Sequence, residues 1–192
     1  ARNDRGIESV HDLEGKNVIL GPLKSGMRSS AAHVLSHYGL LDRVKAQGDM
    51  SFDQMNDTGN EHIDAAIVTT GLDNTDLRKL LTGEGVDGSD FKLLPINARA
   101  IAAERSFFRE YYLPAGFFSE LPRVPAEEVP TVTTTAVLVV REDAPASLVE
   151  LSLDALYKED FQAAFPYLMS HEEAANLPPV RLHPVARRYF AP

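Results

Sequence analysis

Two glycines stand five residues apart in the stretch VILGPLKSGMRSS, residues 18–30, between an apolar run and a helical pattern. The same glycine spacing occurs in phosphate-binding P-loops, in which a Lys and then a Ser or Thr follow the second glycine. Met27 and Arg28 occupy those two positions here. Neither side chain takes over the phosphate and magnesium contacts of that motif, so the sequence argues against a nucleoside triphosphate site.

The backbone of this loop still has the properties of an anion site. Ser25 and Gly26 precede a predicted helix, whose first N–H groups lack partners and lie at its positive end. Gly26 allows a ligand to approach the backbone closely, and Lys24 adds a positive charge. A plain tight turn in which Ser25 caps the helix explains the same residues. Taken by itself, the loop favours the plain turn over an anion site.

The first half of the chain alternates between strand-like and helical patterns. Apolar runs predict buried strands over residues 17–20, 62–71 and 91–96. Helices are predicted between Ser25 and Gly39, over 51–58 and over 75–85. This alternation predicts an α/β fold with a parallel sheet covered by helices. Ligands of such sheets bind beyond the carboxyl ends of the strands, where Gly21–Gly26 and Thr69–Gly71 are expected to lie.

The second half of the chain has a different pattern. We predict a helix over 98–112, an irregular Pro-rich segment over 113–130, a strand over 131–143 and a helix over 144–165. The predicted strand, TVTTTAVLVVRED, is rich in β-branched residues. Ser147 is a candidate N-cap of the last helix. The expected core residues of that helix are Leu148, Leu151, Leu156 and Phe161.

Composition and charge argue against several classes of function. The chain of 192 residues carries 19 basic and 28 acidic residues, and its net charge of −9 disfavours nucleic acid as a partner. Without cysteine it has no disulfides, no thiolate catalysis and no cysteine metal site. No apolar run approaches the roughly 18 residues that cross a bilayer. The start, ARNDRG, is neither an initiator Met nor a signal peptide, so we expect a processed or excised piece of a longer protein.

Other residues whose side chains could bind a metal or take part in catalysis have structural explanations. His33 and His37 are four residues apart on one predicted helix, but the Glu of an H-E-x-x-H motif is missing, so we predict a surface pair and no metal site. Asp64 lies within a buried strand pattern, which favours a structural role. A solvated surface is predicted for the acidic residues Asp73, Asp76, Asp87 and Asp90.

The motifs along the chain resemble, in their order, those of the TAXI family of solute receptors for TRAP-type transporters. Residues 7–40 contain D-L-x-G-K, a strand, G-x-x-x-S-G and a helix that ends in Y-G-L, as in that family. The later matching segments are HIDAAIVTTG (62–71), LLPI (93–96), YLPAGFF (112–118), TVTTTAVLVVRED (131–143) and LHPVARRYF (182–190). Together these segments cover most of the chain.

The resemblance implies a type 2 periplasmic-binding-protein fold with two lobes. Residues 7–95 correspond to a complete α/β lobe that carries the anion loop, and residues 96–192 to the C-terminal part of the other lobe. Nothing before residue 7 matches the family's upstream half-lobe, so the first lobe is expected to be incomplete. In this family a small organic anion, such as an amino acid, an oxo-acid or a dicarboxylate, lies between the lobes, which close by a hinge near residues 94–98.

The resemblance also implies the residues that hold the ligand. Ser25, Gly26 and Met27 form the anion loop, and Thr69, Thr70 and Gly71 line the same edge of the cleft. Phe118 stands where the family has a Tyr, and Met27 where it has a Thr. Both differences remove a hydroxyl, so we expect either a less polar ligand than usual or another role for this domain. No catalytic residue, metal or cofactor is implied.

A receptor of this type is not an enzyme and lies in the periplasm or another extracytoplasmic compartment. It passes its solute to a membrane permease. A ligand-sensing regulatory domain of a membrane-anchored protein is the first alternative, because it uses the same fold without a transporter. An enzyme of carboxylate metabolism is the second, and it would need an acid and a base facing the cleft.

Overall fold

A computed structural model describes residues 1–83, 89–165, 168–176 and 181–191 of the protein. The chain divides into two compact units, Ala1–Thr135 and Ala136–Pro192. The division into 7–95 and 96–192, which follows from the resemblance, concerns the lobes of a binding protein and stays a prediction. Among the described residues, no helix combines the length and the apolar character needed to cross a bilayer.

A parallel three-stranded sheet is the centre of the first unit. Its strands are β1 (Asn17–Ile19), β2 (Lys45–Gln47) and β3 (Ala65–Ala66), in the order β2-β1-β3. Val18 pairs with Ala46 on one side and Ala65 on the other. The predicted strand over 62–71 is thus reduced to two paired residues, and the exposed strand β2 was not predicted. The parallel arrangement confirms the prediction from the alternating pattern.

The central strand serves two hydrophobic cores. Val18 packs in one cluster with Leu20, Leu35 and Ala65. Its neighbour Ile19 packs in a second cluster. Because successive side chains of a strand point to opposite faces, these two clusters cover the two faces of the sheet.

Helix α1 (Gly26–His37) begins directly after the glycine loop. The Ser25 hydroxyl accepts a hydrogen bond from the Arg28 N–H at 3.1 Å, which confirms Ser25 as the N-cap. Gly39, at φ 67°, follows the helix in the left-handed region, as the sequence predicts for a helix stop. The buried side of the helix consists of Ala31, Val34 and Leu35.

Short helices connect the remaining parts of the first unit. The predicted helix over 51–58 is a 3₁₀ turn, Phe52–Asn56. Helix α2 (Thr75–Thr82) ends at Gly83, while its predicted last residue, Gly85, lies outside the described residues. Further 3₁₀ turns are Asn3–Arg5 and Val10–Leu13.

Three predictions for the middle of the chain are wrong. Residues 91–96 form no strand, since only Phe91 makes a β-bridge, to Arg2. The helix predicted over 98–112 stops early as α3 (Ala98–Glu104), and the chain continues as strand β4 (Phe108–Leu113). The strand predicted over 131–143 begins and ends earlier, as β7 (Val129–Thr134).

An antiparallel ladder explains these differences. Strand β4 pairs with β7 over its whole length, and Tyr111 lies opposite Thr131. The Pro-rich segment between them contains a small hairpin, β5 (Ser119–Glu120) and β6 (Arg123–Val124). A non-local partner strand therefore decides the conformation of residues 108–113.

The second unit is helical. Helices α4 (Ala146–Leu156) and α5 (Glu159–Ala164) replace the single helix predicted over 144–165, and α6 (His171–Ala175) and α7 (Pro184–Tyr189) follow. Pro145, and not Ser147, occupies the N-cap position of α4. The buried core of this unit is Val149, Leu153, Val185 and Ala186. Leu148 and Leu151, which were predicted to be core residues, are more than half exposed.

Candidate functional site

The loop between β1 and α1 leaves the sheet at its carboxyl edge, as predicted. Gly21 is buried and has a φ of 95°, a conformation that side chains disfavour. A Cβ atom at this position would lie 2.8 Å from Sδ of Met27. Gly21 therefore provides both the turn and the space into which the Met27 side chain packs.

Arg28 fastens the loop to the neighbouring strand end. Its Nη1 donates to the carbonyl oxygens of Gly21, at 2.9 Å, and Gly48, at 3.0 Å. Gly21 and Gly48 follow β1 and β2, so one guanidinium bridges the ends of two adjacent parallel strands. A second link is the hydrogen bond from the Leu23 N–H to Oδ1 of Asp49, at 2.7 Å.

The start of α1 offers backbone donors. Among the described residues, the N–H groups of Gly26 and Met27 have no hydrogen-bond partner. Gly26 is exposed, and apart from its chain neighbours and the backbone of its own helix, no atom lies within 4 Å of the position that a Cβ would take there. Lys24, also exposed, precedes them in the left-handed region at φ 64°. The arrangement suits a small anion, because free N–H groups and the positive helix end act together.

The second predicted segment, Thr69–Gly71, follows β3 at the same edge of the sheet. The Thr70 hydroxyl accepts a hydrogen bond from Nδ2 of Asn74 at 3.0 Å and keeps its own proton for donation. Oδ1 of Asn74 accepts from the Leu77 N–H at 2.9 Å and so caps α2. Asn74 thus ties Thr70 to the helix that follows, a contact that the sequence analysis missed.

Phe118 is buried in the core of the first unit. Its side chain is only 3% exposed and belongs to the second core cluster. Met27, Val68 and Leu72 pack against the same cluster. One cluster thus includes Phe118, Met27 of the loop and the two apolar residues that flank Thr69–Gly71. A direct contact between the Phe118 ring and a ligand stays a prediction.

Arg78 fixes the backbone at Phe118. Its Nη1 donates to the Phe118 carbonyl at 2.6 Å, which connects α2 to the start of the β5–β6 hairpin. The Phe118 N–H donates to the carbonyl of Val124 at 2.8 Å. Neither Arg28 nor Arg78 was predicted as a site residue, because each acts on carbonyl groups far away in the sequence.

The histidines do not form the predicted surface pair. His33 packs edge-on against Phe107, with ring centroids 5.2 Å apart. His37, mostly buried, lies with Nδ1 2.8 Å from Oε1 of Glu104 on α3. Within the described part of the chain, no group of three His, Cys, Asp or Glu side chains is placed to hold a metal ion. Asp87 of the predicted acidic surface lies outside the described residues.

Asp64 has the structural role that its strand position indicates. It is buried, and Oδ2 accepts a hydrogen bond from the Asn17 N–H at 2.8 Å. The Nε atom of Arg5 lies 3.7 Å from its other oxygen. The hydrogen bond between Asn17 and Asp64 connects the amino ends of β1 and β3. The glycine loop lies at the other end of these strands.

The fold and the loop define the class of this protein. It is an α/β domain whose exposed N–H donors lie at the carboxyl edge of a parallel sheet. A family model named NMT1-like family matches residues 1–191, and the chain belongs to this family of periplasmic-binding-protein-like domains. The match confirms the predicted fold class. The chain is therefore a solute-binding domain of the extracytoplasmic type, from a family that is generally not enzymatic.

Proposed function

We propose that this domain is a receptor of the TAXI type, which binds a small organic anion and delivers it to a TRAP-type membrane permease. One observation carries the proposal: the family match spans residues 1–191 and therefore includes the glycine loop, Thr69–Gly71 and Phe118. The order of the TAXI-like motifs along the same residues supports the finer assignment.

The anion is held at the start of α1. The free N–H groups of Gly26 and Met27 bind a carboxylate, the helix end adds its partial positive charge, and Ser25 keeps the first turn in place. Lys24 contributes a charge nearby. The net charge of −9 does not oppose this, because groups in contact with the ligand outweigh charges beyond a Debye length of about 10 Å.

The rest of the ligand lies against a mixed surface. The Thr70 hydroxyl supplies one donor, and Met27, Val68 and Leu72 supply apolar contacts. This combination favours an amino acid or an oxo-acid with an aliphatic body over a dicarboxylate. A second carboxylate placed against apolar side chains would lose hydration without a partner.

Thermal unfolding against a panel of amino acids, oxo-acids and dicarboxylates tests the proposal. A ligand present at 100 times its Kd adds about 2.7 kcal/mol of stability. For a chain of this size we expect an increase in Tm of roughly 5–10 °C. The increase should be confined to one carboxylate class and should be missing for matched amides and alcohols. Equal responses to acid and amide, or none to any acid, contradict anion binding.

A further inference from the structure

Asn74 holds the Thr70 hydroxyl in a fixed direction after strand β3. Its Nδ2 atom lies 3.0 Å from Oγ1 of Thr70, and its Oδ1 atom lies 2.9 Å from the backbone N of Leu77. Thr70 and Asn74 are both half-buried. The side chain of Asn74 therefore connects the segment that follows β3 with the first turn of α2.

The backbone N–H of Leu77 determines which end of the Asn74 amide faces Thr70. An N–H group only donates, so the amide atom that it contacts is the oxygen. The NH2 end of the amide then points to Thr70. Because the NH2 group also only donates, the Thr70 oxygen accepts, and the Thr70 proton is directed away from Asn74.

The proton of the Thr70 hydroxyl has no acceptor within the part of the chain that the structure describes, since the contact with Asn74 uses only the oxygen. A hydroxyl that already accepts a hydrogen bond is a stronger donor, because hydrogen bonds in a chain polarise one another. Thr70 is therefore suited to donate to an oxygen atom of a ligand, which takes the place of water.

The backbone of Asn74 is fixed as well. Its N–H donates to the carbonyl of Gly71 at 3.2 Å, and its carbonyl accepts from the N–H of Arg78 at 3.1 Å. Asn74 is thus held by two hydrogen bonds of its backbone and two of its side chain. A donor that is held in place before the ligand arrives loses little conformational freedom on binding.

We propose that Asn74 is a positioning residue of the anion site, which holds the Thr70 hydroxyl as a hydrogen-bond donor toward the ligand. The ligand group at Thr70 is then an acceptor oxygen, of a carboxylate or an oxo group, and not an ammonium. This inference rests on the proposed function, because it concerns the ligand of that site. It adds an orientation: an amino acid would turn its carboxylate, and not its ammonium, to Thr70.

Asn74→Asp reverses this hydrogen bond and keeps the helix cap. Asp has the shape of Asn and is an equally good N-cap, so one carboxylate oxygen still accepts from the Leu77 N–H. The other oxygen takes the place of Nδ2, accepts the Thr70 proton and so withdraws it from the ligand. Asn74→Ser is the second variant, because Ser also caps a helix but its short side chain leaves the Thr70 proton free.

Isothermal titration of the whole chain, with the carboxylate that gives the largest thermal shift, tests the proposal. The matched control is Thr75→Asp at the exposed first residue of α2, which adds the same charge and leaves the Asn74 amide in place. We expect Asn74→Asp to bind roughly 10- to 150-fold more weakly than Thr75→Asp, the loss of one hydrogen bond to a charged group. Asn74→Ser should lose much less, and all three variants should unfold near the Tm of the parent chain because each keeps a cap.

Three results overturn the inference while the proposed function stands, because the parent chain still binds its carboxylate. Asn74→Asp binds as Thr75→Asp does, or Asn74→Asp and Asn74→Ser lose equally, or Asn74→Asp binds more tightly, which would show that Thr70 accepts from an ammonium. Adding Thr70→Val to Asn74→Asp should cost no further affinity, and a second loss of the same size would also contradict the reversal. If no carboxylate binds the parent chain, the proposed function fails and this inference fails with it.

Discussion

Replacing Gly26 by Pro removes one N–H group from the proposed anion site and leaves the helix intact. Gly26 is the first residue of α1, a position at which Pro is favoured because its N–H has no helical partner. Ser25, before it, has φ −80° and ψ 156°, a conformation compatible with a following Pro. Beyond its chain neighbours and the backbone of its own helix, no atom lies within 4 Å of the added Cβ. The substitution therefore acts on a ligand and hardly on the fold.

The expected loss is that of one hydrogen bond to a charged group. Such a bond contributes about 1.5–3 kcal/mol, which corresponds to a roughly 10- to 150-fold weaker Kd. Gly26→Ala is the matched control, because it adds the same Cβ but keeps the N–H. Both variants should unfold at or slightly above the Tm of the parent chain, since both restrict the unfolded backbone.

Isothermal titration with the carboxylate that gives the largest thermal shift measures the difference. Gly26→Pro should bind more weakly than Gly26→Ala, which adds the same Cβ but keeps the N–H, by the factor above. Equal affinity of the two variants would refute the backbone contact, even if the family assignment stands. A Tm of Gly26→Pro well below that of Gly26→Ala would show that the N–H has a structural partner instead.

Three further predictions concern stability. Gly21→Ala should lower the free energy of unfolding by about 1–3 kcal/mol, because it forces a side chain to φ 95° and against Met27; chemical denaturation measures this, and an unchanged midpoint would contradict the strain. Arg28→Met should lower it by about 1–3 kcal/mol, because the carbonyl of the buried Gly21 loses its donor, whereas water replaces the donor at the exposed Gly48. Arg28→Lys should lose less, and equal losses would show that the guanidinium contacts are not the cause. Backbone N–H groups of Glu8 and Ser9 donate hydrogen bonds to the Asp12 carboxylate and hold its pKa below the usual 3.8. The ionised carboxylate therefore stabilises the fold above pH 3.8, and this stabilisation is lost as the pH falls through the lower pKa of the folded state. Acid unfolding of Asp12→Asn should therefore be less steep over that range than that of the parent chain, and identical profiles would remove Asp12 as the cause.

The elements around the glycine loop were predictable because local signals agree there. The short apolar strand, the Ser25 cap, the helical stripe and the stop at Gly39 all favour the same structure. A segment can be predicted from sequence when its local preferences agree with the fold.

Residues 105–113 show the opposite case. The charged and aromatic run is the end of the helix predicted over 98–112, but Phe108–Leu113 is a strand because Val129–Thr134 pairs with it. Strand β2, with the sequence KAQ, has no apolar signal, since its three side chains are exposed or half-buried. In both segments the partner strand, remote in sequence, decides the conformation.

The position of the candidate site was predictable from sequence, but the side-chain contacts that hold its loops in place were not. Gly26 and Thr70 follow strands, so their place at the sheet edge follows from the fold class. The contacts of Arg28 with Gly48 and of Asn74 with Thr70 depend on where loops meet, which no local pattern records. On α4, apolar residues on two sides made Leu148 and Leu151 as good core candidates as Val149 and Leu153.

The two cores that meet at β1 make the length of this segment critical. Val18 and Ile19 are adjacent, yet they supply different clusters on opposite faces of the sheet. Inserting or deleting a single residue before Val18 would exchange the contents of both cores and move the glycine loop by one position. Insertions and deletions should thus be excluded from residues 17–21 over the family's history, while the exposed hairpin tip at Leu121 is free to vary in length.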